Sequence, residues 1–190
     1  MYSLKIIIAS TRPQRKGPFI ANWVYDTVKK YPAFKSDLVD LAEWKLPFLD
    51  EPAHPRLRQY QHEHTKKWSV EIDSADAFIM VTSEYNHSYP ATLKNALDFL
   101  FQEWSYKPVA FVSYGGISGG TRSVQALKQV VAALKMMPMV EAVNIPFFNK
   151  YFDASGNFNP DETLQKSLND TLSELERWTA ALKTLRTNKA

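Results

Sequence analysis

The chain has 190 residues, 45% of them hydrophobic and 23% charged, a size and balance that fit one domain spanning residues 1–190 with a sizeable core. No stretch approaches the roughly 18 apolar residues of a membrane span, and a net charge of +3 without a long run of one sign argues against a nucleic-acid binder, which clusters Lys and Arg on one face. The absence of cysteine excludes disulfides and thiol catalysis, and Met1 to Lys5 leads straight into a strand with no room for a signal peptide, so the expectation is a soluble, cytoplasmic protein.

Apolar runs predict strands at 4–9, 37–42, 76–82, 109–114 and 140–145, with helical patterns between and after them. The first strand leads into Ser10-Thr11-Arg12-Pro13-Gln14-Arg15-Lys16-Gly17-Pro18-Phe19. Gly17 suits the cap and Pro18 the first position of a helix, so free backbone N–H groups and the helix dipole face this loop. Arg12, Arg15 and Lys16 add charge suited to a phosphate. Neither Gly-rich nucleotide fingerprint is present, which disfavours a Mg-dependent NTPase and leaves a monophosphate held without metal. A basic solvated loop is the competing reading. The following helix carries Phe19, Ile20, Trp23, Val24 and Val28 on one side.

Residues 43–55 form the longest irregular stretch early in the chain, and 56–73 carry a weak helical pattern. The run 76–82 is continuous in polarity, as expected for a strand covered on both faces. It delivers Ser83-Glu84-Tyr85-Asn86-His87-Ser88-Tyr89-Pro90 to the end of a buried strand, where open α/β sheets hold their ligands. A solvated turn closed by Pro90 is the alternative. A helix is predicted over 91–102, with Phe101, Trp104 and Tyr106 as surplus aromatic surface near its end.

The fourth strand leads into Ser113-Tyr114-Gly115-Gly116-Ile117-Ser118-Gly119-Gly120, which holds four of the chain's six glycines. That concentration suits positive φ or close approach to a flat ligand, whereas a tight turn alone needs one glycine. Val124, Leu127, Val130, Val131 and Leu134 mark the next helix. The last helix follows Leu164, Leu168, Leu172, Leu175, Trp178, Leu182 and Leu185, opened by Asn159 as cap, Pro160 and Glu162. Five strands alternating with helices imply a flavodoxin-like α/β three-layer sandwich around a five-stranded parallel sheet, order 2-1-3-4-5, with its crevice at the carboxyl ends of strands 1, 3 and 4. His54, His62 and His64 lack a carboxylate at ligand spacing, so no metal is expected. His87 beside Ser88 lacks a nucleophile elbow, so hydrolysis is disfavoured.

Taken together, Ala9-Ser10-Thr11-Arg12-Pro13 with Gly17-Pro18, then Glu84-Tyr85-Asn86 through Pro90 with Leu93-Lys94-Asn95-Ala96 and Asp98, then Ser113-Tyr114-Gly115-Gly116 with Gly119-Gly120, resemble the NADPH-dependent FMN reductase family, which includes quinone, azo-dye and chromate reductases. Ala9 stands where a glycine is usual and Ser83 where a proline is usual. The resemblance implies FMN as cofactor and NAD(P)H as hydride donor. Ser10, Arg12, Arg15 and the backbone of Gly17, Pro18 and Phe19 would hold the FMN phosphate. Ser83, Glu84, Tyr85 and Asn86 would flank the isoalloxazine on one side, with Ser113, Tyr114, Gly115 and Gly116 on the other. No protein acid, base or nucleophile is required, since the flavin carries the chemistry. The implied activity passes two electrons by ping-pong hydride transfer to a small acceptor: a quinone, azo compound, flavin or metal oxyanion. The alternative is a non-enzymatic electron carrier or flavin-sensing binding protein of the same architecture, although an electron carrier is expected to be strongly acidic. A homodimer or homotetramer is expected, with the helix over 91–102 near the interface.

Overall fold

Successive side chains of the first strand fall alternately into two separate apolar clusters, Leu4, Ile6 and Ile8 into one and Ile7 and Ala9 into the other. That double burial requires helices on both faces of the sheet. The computed structural model, which describes residues 1–187, has this arrangement. Strands β1 (Tyr2–Ile8), β2 (Phe34–Asp40), β3 (Ala77–Ser83), β4 (Pro108–Tyr114) and β5 (Met137–Ile145) form one parallel sheet in the order β2-β1-β3-β4-β5. The helices are α1 (Gly17–Val28), the one-turn α2 (Leu41–Trp44), α3 (Glu63–Asp73), α4 (Ala91–Asp98), α5 (Thr121–Ala133) and α6 (Glu162–Thr187). Ile20, Val24, Leu168 and Leu172 bring α1 and α6 onto one face. Trp68, Ile72, Leu93, Leu97, Leu127 and Val131 bring α3, α4 and α5 onto the other. Each fully buried large side chain contributes about 1.5–3 kcal/mol by leaving water.

Register aligns Ile8 with Val81 and Ser83 with Tyr114, so the carboxyl ends of the three central strands finish together. The loops after β1, β3 and β4 therefore leave the sheet side by side. Among the described residues no helix is long and apolar enough to cross a membrane.

Several expectations shift. β2 occupies Phe34–Asp40 rather than 37–42, because the Asp40 carboxylate accepts the Ala42 N–H at 3.0 Å and starts α2. β5 begins earlier, at Met137. The weak pattern over 56–73 resolves into a 3₁₀ turn at Pro55–Leu57 and α3. Lys16 caps α1, placing Gly17 and Pro18 in its first turn. α6 starts at Glu162 with Asp161, not Asn159, accepting the Leu164 N–H at 2.8 Å. The helix predicted over 91–102 stops at Asp98. Beyond it Trp104 turns into the core and its indole N–H donates to the Leu97 carbonyl at 3.1 Å. Trp104 is therefore no surface aromatic, which leaves Tyr106, exposed, and Phe101, half-buried, of the three aromatic residues expected there.

Candidate functional site

The segment after β1 is closed on itself by one side chain. Arg15 donates to the Ser10 carbonyl at 2.7 Å and, through both terminal nitrogens, to the Asp40 carboxylate at 2.6 and 2.5 Å. Arg12, by contrast, makes no ion pair among the described residues and lies 5.8 Å from the Tyr85 ring centroid. Arg15, expected as a phosphate ligand, is a clamp between the β1 loop and the end of β2. Lys16 lies over the rings of Phe19 and Phe152. The first turn of α1 has no side-chain cap, so the N–H groups of Gly17 and Phe19 are left for water or an anion.

After β3, Tyr85 and Ser88 exchange backbone hydrogen bonds at 2.8 and 3.0 Å around Asn86 and His87, which have φ of 50° and 68°. Two consecutive left-handed residues make a tight hairpin turn of the primed kind, a conformation that Asn and His tolerate better than β-branched residues. The carboxylate of Glu84 is engaged by protein donors. It accepts from Ser118 Oγ at 2.7 Å, from the Arg122 N–H at 3.2 Å and from Arg122 Nε at 2.6 Å, tying this loop to the one after β4. Burial opposes its ionisation, yet the Arg122 and Ser118 bonds outweigh burial and hold the carboxyl below its ordinary range.

A carboxyl whose folded pKa is depressed stabilises the fold above its unfolded value, roughly 4.3, and loses that contribution as pH falls through the folded value. Flavin affinity is accordingly expected to stay flat from neutrality down through the ordinary carboxylate range and to fall only below it, as the clasp opens. Glu84→Gln should bind more weakly at neutral pH and lose that acid limb. Fluorescence titration with FMN at successive pH values checks both; an unchanged acid limb in the variant would show that Glu84 is not the titrating group.

In the loop after β4, Ser113 is turned inward and donates to the Gly119 carbonyl at 2.8 Å, so it shapes the loop rather than lining the crevice. Gly120 has φ of 85°, and a Cβ there would lie 2.8 Å from the Tyr114 nitrogen, so only glycine fits. Gly116 differs: a Cβ there meets nothing within 4 Å and projects into open space. Gly116→Leu is thus expected to leave thermal stability within about 0.5 kcal/mol and to weaken flavin binding at least 10-fold by filling the crevice. Thermal unfolding and FMN titration of the same preparation test the two halves.

These loops enclose a cavity of about 260 Å³. Arg12 to Lys16 form one wall, Ser83 to Tyr85 a second, and Tyr114 to Gly116 a third, with Phe148 beside them. Behind it the Tyr114 hydroxyl donates to Ser10 Oγ at 3.2 Å. Burial raises the Tyr114 phenol, against its hydrogen bond with Ser10, so it stays protonated at neutral pH. Ser83 is 5% exposed, and its Oγ has no hydrogen-bond partner among the described residues. An orphaned hydroxyl on the cavity wall is a site for a ligand polar atom. Of the predicted residues, Asn86 forms the turn and Pro18 the helix start, while Phe19 packs edge-on against Phe152. Phe148 was not anticipated; its ring lies 5.3 Å from that of Tyr114, and its backbone N–H donates to the Gly115 carbonyl. Its only sequence signal is the aromatic pair Phe147-Phe148 in an irregular stretch. His62 and His64 stack and reach Asp50, and no group of three or more metal-type side chains gathers among the described residues.

Sheet order and a carboxyl-edge cavity walled by the loops of β1, β3 and β4 define a flavodoxin-like α/β protein. The chain belongs to the NADPH-dependent FMN reductase family, which it matches over residues 3–150, and is an oxidoreductase of the FMN reductase and quinone reductase kind. It is 45% identical over 145 residues to an NAD(P)H-dependent FMN reductase of Schizosaccharomyces pombe, covering 74% of this chain and 72% of that protein. A quinone reductase of Pseudomonas putida is 31% identical over 167 residues, covering 84% of this chain and 86% of that protein. In fold, the chain is similar to the solved flavoenzyme NAD(P)H:(acceptor) oxidoreductase of Paracoccus denitrificans, with a TM-score of 0.76 at 21% identity over 95% of this chain and 98% of that one.

Proposed function

We propose that the protein binds FMN in the carboxyl-edge cavity, oxidises NAD(P)H and passes two electrons to a small, loosely specified acceptor such as a quinone, azo compound, flavin or metal oxyanion. The observation that carries this reading is the convergence of three loops on one cavity with a free cation, an uncapped helix N-terminus, an unpartnered hydroxyl and an open glycine. Those features suit a phosphate at Arg12 and the start of α1, and a flat polar ring between Tyr85 and Gly116. When bound, FMN supplies hydride acceptance and two-electron delivery. The protein's residues bind and orient: Arg12 takes charge on the phosphate, Ser83 Oγ offers a hydrogen bond, and the Glu84–Arg122 clasp fixes the separation of the two ring-facing loops. Among the described residues, the cavity wall carries no unpaired carboxylate or imidazole to act as acid or base. Discrimination among acceptors then rests on access and redox potential.

Nicotinamide and acceptor competing for one ring face give ping-pong kinetics with parallel double-reciprocal lines. Anaerobic mixing with NADPH is the test: flavin absorbance should bleach at least as fast as turnover. Protein that takes up FMN but bleaches more slowly than turnover, or not at all, would instead be an electron carrier or sensor. Assembly as a homodimer or homotetramer belongs to this reading through the family resemblance, and light scattering at micromolar concentration tests it.

A further inference from the structure

The opposite pole of the molecule, at the amino ends of β3 and β4, holds a cavity of about 710 Å³, larger than the one at the carboxyl edge. A seven-residue strand separates the two poles by about 20 Å. Five cations, Arg56, Arg58, Lys107, Lys135 and Arg186, face two carboxylates, Asp73 and Asp76. Arg58 and Arg186 are paired with those carboxylates, but Arg56 and Lys135 make no ion pair among the described residues. Each instead covers an aromatic wall residue, Arg56 lying 4.4 Å from the Phe101 centroid and Lys135 5.6 Å from the Tyr106 centroid.

Lys107 is 4% exposed and donates to the carbonyls of Ile72 and Asp73 at 2.9 and 3.0 Å, leaving one of its three N–H groups without an acceptor among the described residues. Burial pushes its ammonium down to about 8, the mark of a desolvated cation that gains from an anion nearby. Arg58, Tyr106 and Lys135, three of the eight non-glycine residues with positive φ among the described residues, all line this cavity. Such backbone is strained and gathers where side chains must be held in place.

We infer that this amino-pole cavity is a second binding site, separate from the flavin site, for a nucleoside di- or triphosphate. The phosphates would meet Lys135 and Arg56, which have no ion-pair partner among the described residues, and the Lys107 N–H left without an acceptor. The planar Arg56 guanidinium on Phe101 offers the stacking surface for a base, and the volume exceeds what a bare phosphate needs.

Calorimetric titration of the full chain with ADP, inorganic pyrophosphate and adenosine, with and without saturating FMN, tests the site. ADP should bind more tightly than pyrophosphate, adenosine weakest of all, and FMN should not compete. Arg56→Ala with Lys135→Ala should lower ADP affinity by about 10- to 150-fold for each cation removed, leaving thermal midpoint, FMN content and NAD(P)H turnover unchanged, since both side chains are exposed and lie at the far pole. Absence of ADP binding overturns the inference. So does binding that FMN displaces or that the double variant retains, either of which places the nucleotide elsewhere. ADP binding no tighter than pyrophosphate overturns the nucleotide assignment.

Discussion

Gly17→Ala is expected to abolish FMN uptake at micromolar concentrations and to lower the stability of the fold. A Cβ on residue 17 would lie 2.4 Å from Ser10 Oγ, 3.0 Å from Tyr114 Oη and 3.3 Å from Ile8 Cγ2. None of the three has room to withdraw. Ser10 and Tyr114 are buried and bonded to each other, and Ile8 is part of the core beneath α1. The methyl must therefore drive the first turn of α1 away from the end of β1, which costs about 1–3 kcal/mol as overpacking. The same displacement separates the helix N–H groups from Arg12 and disturbs the hydroxyl pair behind the cavity, so flavin affinity should fall at least 100-fold, about 2.7 kcal/mol. Thermal unfolding and FMN titration are the measurements. A Gly17→Ala protein that binds FMN like the parent would show that the start of α1 takes no part in holding the cofactor.

The contrast between this glycine and Gly116 shows what a sequence reveals and what it withholds. The cluster from Gly115 to Gly120 announced a special loop, but not that Gly120 is required by its backbone while Gly116 is open to the cavity. β1, β3 and β4 were legible because strands buried on both faces read as continuous apolar runs. The edge strand β2, with Leu38 exposed and two buried positions, carried too little pattern to fix its limits. The loop of Arg12 and Arg15 was visible, but the division of labour between them was not. Asp40, which claims Arg15, is 25 residues away on another strand. The amino-pole cavity left no local trace, because its cations are scattered from Arg56 to Arg186 and meet only in the fold.

Separating the two arginines gives the second large effect. Arg12→Ala should bind FMN about 10- to 150-fold more weakly, the effect of removing one charge-assisted hydrogen bond. Riboflavin, which lacks the phosphate, should bind both proteins alike, and thermal stability should hold because Arg12 is exposed and makes no ion pair among the described residues. Arg15→Ala should behave in the opposite sense. The side chains of Arg15 and Asp40 are 18% and 13% exposed, so removing the guanidinium strands a nearly buried carboxylate at a cost of about 3 kcal/mol. At roughly 2–4 °C per kcal/mol for a chain of this size, the midpoint drops by about 6–12 °C. Arg15→Lys should recover little, because an ammonium cannot make the paired bonds to both carboxylate oxygens. The double variant Arg15→Ala with Asp40→Ala should regain part of the stability, since the unpaired charge goes with its partner. If Arg15→Ala instead kept its midpoint and lost FMN but not riboflavin affinity, Arg15 would be the phosphate ligand after all, turning from Asp40 to the cofactor on binding.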